Sequence, residues 1–111
     1  MKFNKIQADL VQGGNMGKMI RDKYDTIIEA ERLRIVDNPS ERFIYHSEKI
    51  KEELRELADT AYNDVEEFAD VIETLYAMAE FQGLSKDEIE IVRLRKLEEK
   101  GGFKKCLVLK G

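Results

Sequence analysis

Glu53 and Glu56, then Glu67 and Asp70, form two carboxylate pairs, each spaced three residues apart, in stretches with helical periodicity. Residues i and i+3 project from nearly the same side of a helix, one turn apart. If the two stretches pack as an antiparallel hairpin about a turn near Tyr62-Asn63, the pairs meet at similar depth. Glu53 and Glu56 stand nine and six residues before Tyr62, and Glu67 and Asp70 stand five and eight after it. Four carboxylates then converge on one point. Such an oxygen-rich set, with no imidazole or thiolate, suits a hard divalent cation, Mg²⁺ or Mn²⁺, far better than zinc.

Acids on helices more often form a solvated face paired with nearby bases. Glu52 and Glu53 fit that plainer reading, because Lys49 and Arg55 lie within reach on the same helix. Asp70 and Glu73 do not. Residues 68–79 around them are apolar almost all the way round, and a helix of that kind is expected to be buried on most sides. These two carboxylates have no base within four residues. A buried charge with no counter-charge is costly, so a bound metal is the better reading for Asp70. Elsewhere the chemistry is thinner. His46 beside Tyr45 reads as a surface or interface histidine, and Cys106 has no histidine placed to make it a nucleophile. Lys96 and Lys100, four apart, either hold a phosphate or compensate the dipole at a helix C-terminus.

An all-α helical bundle with a short C-terminal strand is the architecture expected to position these groups. Gly13, Gly14 and Gly17 break the N-terminal stretch, so residues 1–15 read as an arm and 16–111 as the domain. Tyr24, Ile27 and Ile28 suggest a short amphipathic helix over 21–31, followed by an extended piece near Ile35. Asn38-Pro39 is a helix start, an N-cap followed by proline at the first helical position. The helix that follows is expected to run to about Ala61 and to bury Ile50, Leu54, Leu57 and Ala61. Asn63 with Glu66 suggests a capping box for a second helix ending at Gln82, with Gly83 as its stop. Ser85 with Glu88 suggests another, for a third helix ending at Lys100 before Gly101-Gly102. Residues 103–109 have the length and apolar content of a strand.

At 111 residues the chain is one small domain, and a cleft is hard to hold at that size without a partner chain. One cysteine excludes an internal disulfide framework and favours a reducing, cytoplasmic setting. No apolar run is long enough to span a membrane. The net charge of −4 conceals a strong asymmetry: residues 48–73 carry ten acids and three bases, while residues 92–111 carry seven bases and two acids. Residues 56–85 have eight acids and neither Lys nor Arg, a stretch that calls for cations from outside itself. The overall sign argues against general nucleic-acid binding.

Several segments, taken in order, resemble a known family. They are Arg21-Asp22-Lys23 with Ile27-Ile28; Lys49-Ile50-Lys51-Glu52-Glu53-Leu54-Arg55-Glu56-Leu57; Glu67-Phe68-Ala69-Asp70-Val71-Ile72-Glu73; Val92-Arg93-Leu94-Arg95-Lys96; and Lys100-Gly101-Gly102-Phe103. Together they are similar to the short MazG-like nucleotide pyrophosphohydrolases of the all-α NTP pyrophosphatase superfamily, some of which are phosphoribosyl-ATP pyrophosphohydrolase-like. The resemblance covers about residues 16–109. It implies Mg²⁺-dependent hydrolysis of a nucleoside triphosphate to the monophosphate and pyrophosphate. The family's metal motif falls on Glu53, Glu56, Glu67 and Asp70, and its substrate contacts on Lys96, Lys100, Arg21 and Lys23. Tyr24-Asp25 departs from the Ile-Pro that members often show there, which bears on base selectivity.

The chemistry agrees with the resemblance. A triphosphate brings about four negative charges into an acidic site, so cations must neutralise it, and a metal-bound water can attack phosphorus without a covalent nucleophile. Glu56 is the candidate to orient that water or take its proton. A homodimer or higher homo-oligomer is expected, because the second helix is too apolar for a lone small chain. The alternatives are the phosphoribosyl-ATP pyrophosphohydrolase of histidine synthesis and a non-catalytic helical interaction module.

Overall fold

Asn38 and Pro39 begin the first long helix as their types require. The Asn38 side chain accepts the Glu41 backbone N–H at 3.0 Å, and Pro39 occupies the first turn, where its missing N–H costs nothing. The computed structural model describes residues 17–111, so the arm read at residues 1–15 lies outside the described residues. Three α-helices follow one another: α1, Pro39–Asp59; α2, Val65–Phe81; and α3, Lys86–Lys100. The chain is all-α, with no strand among the described residues. None of these helices is long and apolar enough to cross a membrane.

A tight turn folds α2 back along α1. Ala61 and Tyr62 both take left-handed backbone angles, φ 56° and 57°, and the Tyr62 N–H returns to the Leu57 carbonyl at 3.1 Å. Two successive non-glycine residues in that region cost on the order of 1 kcal/mol each, which the packing of the hairpin must offset. The cap of α2 lies one residue later than expected. Asn63 donates its N–H to Thr60 within the turn, and Asp64 instead accepts from the backbone of Glu66 and Glu67 at 2.9 and 3.2 Å. Gly83, at φ 83°, follows α2 in the left-handed conformation that glycine adopts freely. Ser85 and Glu88 form the full reciprocal capping box of α3.

The seam of the hairpin is not the expected apolar stripe. The residues α1 buries are His46, Lys49, Glu53 and Leu57. Leu54 is 45% exposed and Ala61 lies in the turn, because the helix is rotated to turn its charged face inward. α2 buries only Val71 and Ala79, so it is not enclosed on most sides as its composition suggests; Phe68, Ile72 and Leu75 remain about half exposed.

Before α1, the expected helix over 21–31 is replaced by two 3₁₀ turns, Asp22–Thr26 and Ala30–Arg32. Of its apolar residues only Ile28 is buried, so little packing rewards a longer regular helix. α3 is held where the Tyr76 hydroxyl donates to Glu90 at 2.9 Å and Lys86 sits over the Tyr76 ring. From Ile91 onward every residue is exposed. The radius of gyration, 16.9 Å, exceeds the roughly 13 Å of a compact 100-residue domain. The strand expected at residues 103–109 does not form, since no second strand among the described residues is present to pair its backbone.

Candidate metal centre

Glu53 is the hub of the acidic groups. It is 2% exposed, and one of its carboxylate oxygens lies within 4.8 Å of oxygens from Glu67 and Asp70 across the hairpin. Glu53 also belongs to a second set within the same distance, made along α1 with Glu52 and Glu56. The four carboxylates expected to converge on one point instead divide between two sets that share Glu53, with Glu67 and Asp70 in one and Glu56, joined by Glu52, in the other. Oxygens bound to one Mg²⁺ lie within about 4.2 Å of each other, so small side-chain rotations suffice to close either set on an ion. The donor set is all oxygen, and it fits a hard divalent cation.

Carboxylates at this spacing repel by roughly 3 kcal/mol per pair at an effective dielectric constant near 20. Bases offset that repulsion from two directions. Lys49, itself buried, places Nζ 3.3 Å from Glu52 and 3.4 Å from Glu53. From the segment ahead of α1, Lys18 Nζ reaches Glu52 Oε1 at 2.8 Å, and Arg21 Nη2 donates to Asp70 Oδ1. Burial pulls the Arg21 guanidinium down, but its hydrogen bond and charge interaction with Asp70 outweigh that and raise it above its ordinary value. Asp70, which has no base within four residues along the chain, is thus not left to an external cation alone. Its base arrives from 49 residues away.

The substrate contacts implied by the resemblance are not assembled in one chain. Arg21 is engaged with Asp70, and Lys23 is exposed in the first 3₁₀ turn. Lys96 and Lys100 are exposed on α3, with no ion pair among the described residues. The reason is rotational. At 100° per residue, Tyr76, which docks the start of α3, lies about 120° around α2 from Asp70 and about 180° from Glu67, so α3 is attached to a different face of α2 from the acids. Lys49 pairs with Glu52 and Glu53 as its reach along the helix suggested, whereas Glu52 as a member of the acid set and Lys18 as its second base were not singled out. The i, i+4 spacing with Glu56 was the available signal for Glu52. Lys18 had none.

Glu52 and Glu56 also face a cavity of about 310 Å³ whose other lining residues are Lys18, Arg55, Ala58 and Asp59. His46 is not at the surface, contrary to expectation. It is 7% exposed and stacks on Phe81, with ring centroids 5.1 Å apart, because α1 turns it into the seam. Burial first, and the nearby Arg42 charge second, lower its pKa from the ordinary 6.5. Cys106 is exposed and free. Among known proteins, no family model, curated protein or solved structure matches this chain.

Proposed function

We propose that the chain is a MazG-like, Mg²⁺-dependent nucleoside triphosphate pyrophosphohydrolase that acts in the cytoplasm on the nucleotide pool. The observation that carries this reading is the meeting of Glu53 with Glu67 and Asp70 across the hairpin, and with Glu52 and Glu56 along α1. Glu53, Glu56, Glu67 and Asp70 would hold Mg²⁺, with Mn²⁺ as a substitute. When bound, the ion supplies positive charge to phosphate oxygens and acidity to water. Water adds to the α-phosphorus, the bond to the α–β bridging oxygen breaks, and pyrophosphate leaves. Glu56 accepts the water's proton in this scheme. Lys49 and Lys18 keep the carboxylates from repelling one another before substrate arrives.

The same reading includes a homodimer or larger assembly. Val65, Phe68, Ile72 and Leu75 form one exposed stripe on α2 at helical spacing, and Ile91, Leu94 and Leu97 form another on α3.

A second reading, a non-catalytic helical interaction module, draws on the ion pairs of Glu52, Glu53 and Asp70, since bases of the chain already neutralise part of the cluster. One experiment separates the two. A panel of canonical and damaged nucleoside triphosphates, with phosphoribosyl-ATP included, is incubated with and without Mg²⁺ and the products are resolved. Mg²⁺-dependent release of monophosphate and pyrophosphate, abolished in Glu53→Gln and Asp70→Asn, supports the enzyme. No release from any substrate supports the module, and release only from phosphoribosyl-ATP assigns the enzyme to histidine synthesis.

A further inference from the structure

The cavity beside Glu52 and Glu56 has an unusual lining. Five of its six residues carry charge, Lys18, Glu52, Arg55, Glu56 and Asp59, and the sixth is Ala58. Nothing in it would stack on a nucleobase or cover an alkyl chain. Its volume is at the low end for a ligand site. Glu52, Arg55, Glu56 and Asp59 follow one another at i, i+3, i+4 and i+7, so a single face of α1 supplies most of the lining, and Lys18, bonded to Glu52, adds to it from outside the helix. Two of the carboxylates in this wall also belong to the set Glu52, Glu53 and Glu56. An ion held by that set therefore stands in the wall of the cavity.

Charge decides what such a cavity accepts. Three acids and two bases leave the lining at −1, which repels anions. Glu53 behind the wall is offset by its partner Lys49, so one divalent cation on Glu52, Glu53 and Glu56 brings the total from −1 to +1. Lys18 is engaged with Glu52, whereas Arg55 is exposed and enters no ion pair among the described residues, even with Asp59 one turn away. A guanidinium offers paired N–H donors that match phosphate oxygens.

We propose that this cavity is a metal-dependent diphosphate subsite, in which Arg55, seconded by Lys18, holds the β- and γ-phosphates that leave as pyrophosphate. The identity of the anion rests on the pyrophosphohydrolase reading, while the subsite itself rests on the cavity and its charges. It assigns to Arg55 and Lys18 the phosphate contact that Lys96 and Lys100 do not make within one chain.

The test is calorimetric titration of the full chain with inorganic pyrophosphate, with and without Mg²⁺. Wild type binds pyrophosphate only with Mg²⁺, and nucleoside monophosphate, which lacks the β- and γ-phosphates, does not compete. Arg55→Gln, at an exposed position, weakens pyrophosphate by at least about tenfold, the loss expected for a charge-assisted hydrogen bond. Mn²⁺ binding alone, followed by electron paramagnetic resonance, stays within about twofold of wild type in the same variant, and Arg55→Lys recovers part of the pyrophosphate affinity. Unchanged pyrophosphate affinity in Arg55→Gln overturns the subsite, as does equal binding without a divalent ion. The two proposals fail separately. Nucleotide hydrolysis with no effect of Arg55 on pyrophosphate removes the subsite alone, and Arg55-dependent pyrophosphate binding with no nucleotide hydrolysis removes the enzyme alone.

Discussion

The seam between α1 and α2 and the outer faces of α2 and α3 have exchanged the characters that folding ordinarily assigns them. Three of the four side chains that α1 buries are polar or charged, His46, Lys49 and Glu53, whereas Phe68, Ile72, Leu75, Leu94 and Leu97 are each 44–54% exposed. Burying an ion pair costs several kcal/mol in desolvation per charge and recovers it only with good geometry. Covering apolar surface contributes about 25 cal/mol per Å². A chain arranged for its own stability would turn the apolar faces inward. Here Glu53, Lys49 and His46 share the interior with Ile28, Leu57, Val71 and Ala79, and much of the apolar area of α2 and α3 is left exposed.

The largest expected effect comes from making the seam apolar. Lys49→Met with Glu53→Leu removes a buried charge pair and the hub of both carboxylate sets. Replacing a buried pair with packed apolar groups is often stabilising by about 1–4 kcal/mol. The double variant is therefore expected to melt at a higher temperature than wild type and to lose Mg²⁺-dependent pyrophosphate release by on the order of a hundredfold or more. Thermal melts and product-resolved assays on one preparation check both. A variant that is less stable and equally inactive would mean the charged seam holds the fold together.

Removing only the base gives the next effect. Lys49→Met leaves Glu52 and Glu53 without their contact on α1, and is expected to cost about 3 kcal/mol in denaturant titrations. Millimolar Mg²⁺ should return part of that loss, because an ion that binds only the folded chain stabilises it by mass action. On the outer side, Ile72→Glu with Leu75→Glu places charge on the exposed stripe of α2. The variant should elute from size-exclusion chromatography as a monomer while wild type elutes as an oligomer. A monomeric wild type at micromolar concentration would break the comparison on that side.

The contrast also explains what could be read from the amino-acid order. The caps at Asn38 and Ser85 were legible because each is a contact within three residues. The convergence of Glu53, Glu67 and Asp70 was legible because three-residue spacing and a short turn are enough to align two helices. The outward position of Leu54 was not, because the rule that the apolar stripe faces inward fails in a helix that buries its charges instead. Lys18 and Arg21 were not, because they meet Glu52 and Asp70 across 34 and 49 residues, and no local pattern encodes such pairings. Residues 103–109 have strand-like composition, but a strand also requires a second segment to pair with, and composition is silent on that.

The smallest effect belongs to His46, the seam's one neutral polar group. It is stacked on Phe81, with the Arg42 guanidinium over the same ring, and its Nδ1 is buried with no hydrogen-bond partner among the described residues. Burial and then the Arg42 charge hold its pKa below the ordinary 6.5, so the folded chain favours the neutral ring more than the unfolded chain does. The resulting stability is complete above the unfolded value near 6.5 and is lost as pH falls through the lower folded value, at no more than about 1.4 kcal/mol per pH unit. The difference between wild type and His46→Leu isolates this group. Denaturant titrations at pH 7.5 and 5.5 should show wild type losing more stability than the variant as the pH falls. Equal losses would mean that His46 accepts its proton without leaving Phe81, and that the seam tolerates a positive charge at its open end as readily as Lys49 shows it does beside Glu53.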